Sequence, residues 1–172
     1  MTGVARHNLR YSYGVDLKAL SVRQPWAGLL ARGVKRFEVR SWRPSHLGLY
    51  LLHASSGKAR DIRDHREESL FQRALLRADM KDESSWEQGA LIAVVKIVRV
   101  WGPGSWPKGL TPLDKYLSKH GPNDFLWEVG RRWVFNRPVP SEGAPRIWTP
   151  PPETRRALAA QLSRLKVPLP RE

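Results

Sequence analysis

Apolar residues fall into short runs cut by glycine, proline and charge. Their spacing predicts five or six strands and a few helices. Leu17–Val22 reads as a short buried strand. Gln24-Pro25 then opens a helix, because proline is tolerated in a first turn. Trp26, Leu29, Leu30 and Val34 give that helix one apolar face, and Gly33 stops it where a left-handed cap is favoured. Ser21 and Gln24 have the S-x-x-Q spacing of a capping box. From Phe37 to Trp42 the period is two: Phe37 and Val39 face one side, while Glu38, Arg40 and Trp42 face the other. Gly48–Ser55 is nearly all apolar up to His53, which predicts a third strand. Residues 58–82 read as a helical excursion, charged in its first half. Its second half carries a stripe of Leu70, Phe71, Ala74, Leu75 and Ala78, and a mainly structural role over the sheet is expected. Residues 89–101 form the clearest long strand, rich in β-branched residues. A Pro/Gly loop and a short helix over 112–119 follow. Residues 125–135 read as a strand interrupted at Gly130 by a bulge or turn, with 136–140 as edge strand or loop. A last helix over 153–165 places Leu158, Leu162 and Leu165 on one face, with Arg155, Arg156 and Arg164 away from it. The expected fold is α+β, a small β-barrel of five to six strands flanked by helices. Residues 17–150 would form the barrel, with 58–82 inserted. Residues 151–172 would pack on it, and 1–16 would be a basic arm.

Composition narrows the class. At 172 residues and 41% hydrophobic, with eight tryptophans, the chain can bury the core of one domain. No apolar run approaches the roughly 18 residues of a membrane span. The N-terminus lacks a signal-peptide core, so no membrane association and a cytoplasmic location are expected. The absence of cysteine removes disulfides, thiolate metal sites and cysteine nucleophiles.

The net charge is +14 and unevenly spread. Residues 1–46 hold nine Lys/Arg against two acids, residues 57–88 seven against eight, and residues 89–172 fourteen against six. A basic surface beside a neutral one points to a polyanionic partner, although surplus charge also serves solubility.

Three clusters could carry chemistry. Lys35 follows the glycine turn, with Arg36 and Arg40 beside it and Glu38 between them. If Lys35 lies at a cleft mouth, a basic neighbour would lower its pKa and let the amine act as base or nucleophile. Glu38 would orient it or hold water, and Arg40 would stabilise developing negative charge. The same residues also fit an exposed strand edge with ordinary ion pairs, worth about 0–1 kcal/mol each. Arg23, Gln24 and Trp26 surround the first helix N-terminus. There Gln24 can read a base edge and Trp26 can stack, or they cap and fill core. Glu128 lies among Trp127, Arg131, Arg132 and Trp133, an aromatic–basic cluster that suits stacked single strands as well as plain barrel packing. His53, just before Ser55, either donates a proton at a strand end or is a hydrogen-bonded structural histidine. No HExxH motif or clustered carboxylate array occurs, so no metal or cofactor is expected. P-loop, GxGxxG and GxSxG signatures are also absent.

Residues 17–42, "LKALSVRQPWAGLLARGVKRFEVRSW", closely resemble the opening motif of ASCH domains, small β-barrels related to the PUA fold. Leu20-Ser21 ends the first strand, Gln24-Pro25-Trp26-Ala27 opens the helix, Gly33-Val34-Lys35 gives G-x-K, and Glu38-Val39-Arg40 gives E-x-R on the next strand. "LLHAS" resembles the second barrel strand, and the likeness extends over most of 17–150. It implies a cleft between the first helix and the barrel that binds RNA or a modified nucleoside. A shorter bacterial group of this kind hydrolyses acetylcytidine with the lysine of G-x-K-x-x-T, a neighbouring threonine and a distant glutamate. Lys35 matches that lysine. Glu38 stands where the threonine would be, and Glu128 is the candidate for the distant glutamate. Another member has been described as a ribonuclease.

The reading that follows is a PUA-like domain binding RNA or a nucleotide-like ligand, with DNA as a further option, in a basic cleft, in RNA metabolism or in regulation of translation or transcription. Its contacts would be Arg23, Gln24, Trp26, Lys35, Arg36, Arg40, Trp42, His53, Ser55, Glu128 and Arg132. The alternatives are a hydrolase of a modified nucleoside or of RNA, with Lys35, Glu38 and Arg40 catalytic, and a protein-interaction module docking through Leu158, Leu162 and Leu165.

Overall fold

The computed structural model describes residues 16–169; apart from Asp16, the expected N-terminal arm lies outside them. One six-stranded sheet, curled into a half-barrel, runs in the order β2-β5-β4-β3-β1-β6. The strands are β1 (Ala19–Gln24), β2 (Phe37–Arg40), β3 (Gly48–Lys58), β4 (Ala90–Trp101), β5 (Phe125–Pro140) and β6 (Ile147–Trp148). All neighbouring pairs are antiparallel except β1 with β3. Five helices accompany them among the described residues: α1 (Trp26–Ala31), α2 (Ile62–His65), α3 (Ser69–Arg77), α4 (Pro112–Leu117) and α5 (Pro152–Arg164).

Burial explains the layout. Tyr50–Ala54 of β3 and Ala90–Val95 of β4 are buried residue after residue, because both faces of the central strands are covered. Leu20, Val22, Tyr50, Leu52 and Trp127 point into the barrel, where Ala27, Leu30 and Ala31 of α1 fill the mouth. Ala19, Leu51, Val94 and Trp133 point the other way, under α5. Leu158 and Leu162 of α5 are buried there and Leu165 packs beside them, so the face considered for partner docking is core. A third cluster joins Leu29 of α1 to Phe71, Ala74 and Leu75 of α3 and to Leu117 of α4. Helix α1 is therefore wedged between the barrel and a helical lobe.

Several local expectations change. The 58–82 stretch is not one helix: Lys58 still belongs to β3, and the charged half forms only the four-residue α2. Its sole buried side chain is Ile62, too little apolar surface to hold a longer helix in place. At Gly130 the expected interruption is a bulge and not a turn: the pairing with β4 shifts register between Val95–Arg132 and Ile97–Val129, and β5 runs on through 136–140 to Pro140. The capping box does not form either. Ser21 stays in β1 and its hydroxyl reaches His53, while Gln24 Oε1 accepts from Gly28 N at 2.9 Å. Gly33 does terminate α1, with φ +77°, and the amides of Val34 and Lys35 both donate to the Leu29 carbonyl. That turn sends the chain from α1 directly into β2.

Candidate functional site at the barrel seam

Strands β1 and β2 lie far apart in the sheet order, but curling brings them face to face. Arg40 bridges the seam: Nη2 donates to the Ser21 carbonyl at 2.8 Å and Nε donates to Glu38 Oε1 at 2.8 Å. Beside this bridge a cleft of about 670 Å³ opens. The volume is in the range of pockets that take one small organic guest. Its first wall holds Arg23, Lys35, Glu38, Arg40 and Ser55, and Trp26 lies between the walls. The second wall belongs to α2, α4 and the residues flanking them, with Asp61, Asp64, His65, Tyr116 and Lys119.

Lys35 is buried, 4% exposed, and Nζ donates to the carbonyls of Phe37 at 2.5 Å and Leu117 at 2.7 Å. Burial lowers its pKa from 10.5 to about 8; Glu38 opposes that shift and Arg40 adds to it. The basic neighbour Arg40 acts in the expected direction, but loss of water is the larger cause. A tetrahedral nitrogen with two hydrogens held by carbonyls has one position left. In the ammonium it is a third N–H, and in the neutral amine it is a lone pair. Glu38, 6% exposed and paired with Arg40, is no solvent-facing strand residue.

Of the expected contacts, Arg23, Trp26, Lys35, Arg40 and Ser55 meet in the cleft together with Glu38. The others take places in the framework. Gln24 is 1% exposed, and its Nε2 donates to the Glu87 carbonyl at 2.8 Å, so both ends of the amide are engaged within the protein. Arg36 pairs with Asp114 at 3.1 Å. Trp42 packs edge-on against Trp127, with Arg146 over its face at 4.5 Å. His53 is buried, with Nε2 2.9 Å from the Ser141 carbonyl and Nδ1 3.1 Å from Ser21 Oγ. A carbonyl only accepts, so Nε2 carries the hydrogen and Nδ1 accepts from Ser21. Burial lowers the His53 pKa, against the Ser141 hydrogen bond. Glu128 accepts from Trp101 Nε1 at 2.9 Å. Arg132 donates to the Leu30 carbonyl at the end of α1 and to that of Gly130 in β5.

Sequence reasoning missed the second wall. His65 and Tyr116 are 51 positions apart and touch only because α2 and α4 pack on the same side of α1. The lining is also less basic than the chain as a whole: Arg23, Lys35, Arg40 and Lys119 stand against Glu38, Asp61 and Asp64. No cluster of three potential metal ligands occurs among the described residues. No helix among them is long and apolar enough to cross a membrane.

Comparison with known proteins agrees with this architecture. The family model of the ASCH domain matches residues 20–133. Two curated relatives, both named Activating signal cointegrator 1, come from Homo sapiens and Mus musculus; they are 28% and 27% identical over 129 residues. That alignment covers 75% of this chain and 21% of each relative, so the chain spans about a fifth of their length. The matched residues run from β1 into β5 and contain both walls of the cleft, and the chain belongs to the ASCH domain family.

Proposed function

We propose that the seam cleft binds single-stranded RNA or a nucleotide-like ligand. The observation that carries this reading is the convergence of the Trp26 indole with four cationic side chains around a guest-sized space. Arg23 and Lys119 attract phosphate from the rim, Arg40 and the third Lys35 N–H meet anionic or carbonyl oxygens inside, and Trp26 offers a stacking surface. Arg23 and Lys119 are exposed, so their removal leaves the core intact. Titration of a labelled single-stranded RNA should show affinity falling with salt, and Arg23→Gln with Lys119→Gln should weaken it further. Salt-independent binding, or binding indifferent to both substitutions, would count against the cleft. The relatives' name, activating signal cointegrator, fits a role for such a module in regulating transcription.

A hydrolytic use of the same cleft is favoured by one observation, the Lys35 amine with its pKa lowered to about 8 beside Glu38. In the neutral state its lone pair would take a proton from water as the water adds to an acyl carbon, and the ammonium would return that proton to the leaving nucleoside nitrogen or oxygen as its bond to the acyl carbon breaks. A screen of acylated nucleosides by mass spectrometry tests this, with Lys35→Met expected to abolish turnover. Turnover that persists in this variant rules the mechanism out.

A further inference from the structure

The second wall carries a hydrogen-bonded chain that neither reading uses. His65, the last residue of α2, has Nε2 3.1 Å from Asp61 Oδ2 and Nδ1 2.6 Å from the Tyr116 hydroxyl. Its ring is held edge-on against Trp26 at 5.3 Å and Tyr116 at 5.6 Å, and tilted against Phe71 at 5.7 Å. Asp61, His65 and Tyr116 all line the cleft.

The directions of these bonds follow from the donor inventory. A carboxylate accepts only, so His65 Nε2 carries a hydrogen. In the neutral imidazole Nδ1 is then an acceptor, and the single hydrogen of Tyr116 points at it. The phenol oxygen has only lone pairs left for a guest. When His65 is protonated, Nδ1–H donates to that oxygen, and the Tyr116 hydrogen turns away toward the cleft. Tyr116 remains a phenol in both states, because burial, then Glu68 and Asp61, raise its pKa. The charged and titratable groups around His65 are Asp61 and Asp64 on its own segment, Glu68 at the start of α3, Tyr116 and Lys119 from the α4 side, and the Lys35 amine tethered to Leu117.

We propose that Tyr116 is a ligand-contacting, specificity-determining residue of the cleft, with His65 and Asp61 as the residues that set its hydrogen-bond polarity. It accepts an N–H from a nucleobase while His65 is neutral, and it donates to a carbonyl or phosphate oxygen once His65 is protonated. The assignment rests on the RNA reading of the cleft. Cytosine offers an amino donor where uracil offers a carbonyl acceptor, so the two bases report the polarity directly.

The test compares eight-nucleotide oligo-C and oligo-U at pH 8 and pH 5.5, a range over which histidine changes charge. One bond of this kind is worth about 1 kcal/mol, so oligo-C should bind about fivefold more tightly than oligo-U at pH 8. That preference should shrink at least about threefold at pH 5.5. In Tyr116→Phe, which keeps the ring, the preference should vanish at both pH values. In His65→Gln its pH dependence should fall to the part contributed by the Lys35 amine, whose pKa is about 8, and an undiminished dependence would overturn the proposal. Nitrogen NMR of the unliganded protein should show the Nε2–H tautomer of His65 at pH 8. The opposite tautomer, or equal affinity of the wild type for both oligomers at both pH values, overturns this proposal while leaving the RNA reading in place. Binding of neither oligomer overturns the RNA reading and the base preference together.

Discussion

At the scale of single residues, the protonation of two buried groups, Lys35 and His53, bears on stability. Lys35 has a pKa of about 8 in the fold against an ordinary 10.5. Between those values the unfolded chain holds more protons than the folded one. Stability therefore rises as pH climbs from about 8 to about 10.5, and below pH 8 the buried charge costs about 3 kcal/mol. Urea unfolding should accordingly show the wild type gaining about 2 kcal/mol relative to Lys35→Met between pH 8 and pH 10, and parallel profiles would contradict the burial of this amine. His53 works on the acid side. Its folded pKa is lowered from 6.5, so the unfolded chain binds the proton more readily and stability falls as pH drops below about 6.5. Thermal melts at pH 7 and pH 5.5 should separate more in the wild type than in His53→Gln, whose side chain does not titrate.

Secondary elements differ in how far their own sequence determines them. Helix α5 packs Leu158 and Leu162 at a helical spacing of four against the outer face of β3, β4 and β5. Truncating Leu158, 2% exposed, to alanine should cost about 2–5 kcal/mol in chemical denaturation. A loss below about 1 kcal/mol would mean that the helix is only loosely docked. Elements of this kind were legible in the sequence. The β-branched run of β4, the two-residue period of β2 and the Gly33 stop each express a local rule, and each formed. The same locality explains how Lys35, Glu38 and Arg40 could be assigned to one site, since they fall within six positions of a turn and a strand. Helix α2 and the second wall obey no such rule. Asp61 and His65 stand at the helical spacing of four, but nothing local relates Tyr116 to them, and the meeting of the three depends on α1 separating the barrel from the helical lobe. Gln24, Arg132 and Glu128 lie outside the cleft lining for the converse reason. Their residue types suit recognition, but backbone carbonyls and an indole N–H inside the protein already occupy them.

Over the whole molecule the charge of +14 exceeds what the cleft contains, and the difference can be measured. Four cationic side chains line the seam, so a single strand confined there can neutralise at most four phosphates. Counterion release gives a slope of about −0.7 per phosphate in log K against log salt, which sets a limit near −3 for occupancy of the cleft alone. Asp61 and Asp64 on the second wall work against polyphosphate and bring the expected value nearer to −2. The remaining arginines are partly committed elsewhere: Arg99, Arg43 and Arg131 lie over the rings of Trp101, Phe125 and Trp133. Such stacking leaves the guanidinium edges open to phosphate. Binding confined to the seam should show a slope between −2 and −3, reduced by about 0.7 for Arg23→Gln and again for Lys119→Gln. A slope steeper than about −5 that neither substitution changes would instead assign RNA attraction to the outer basic surface, leaving the seam to a small, near-neutral guest.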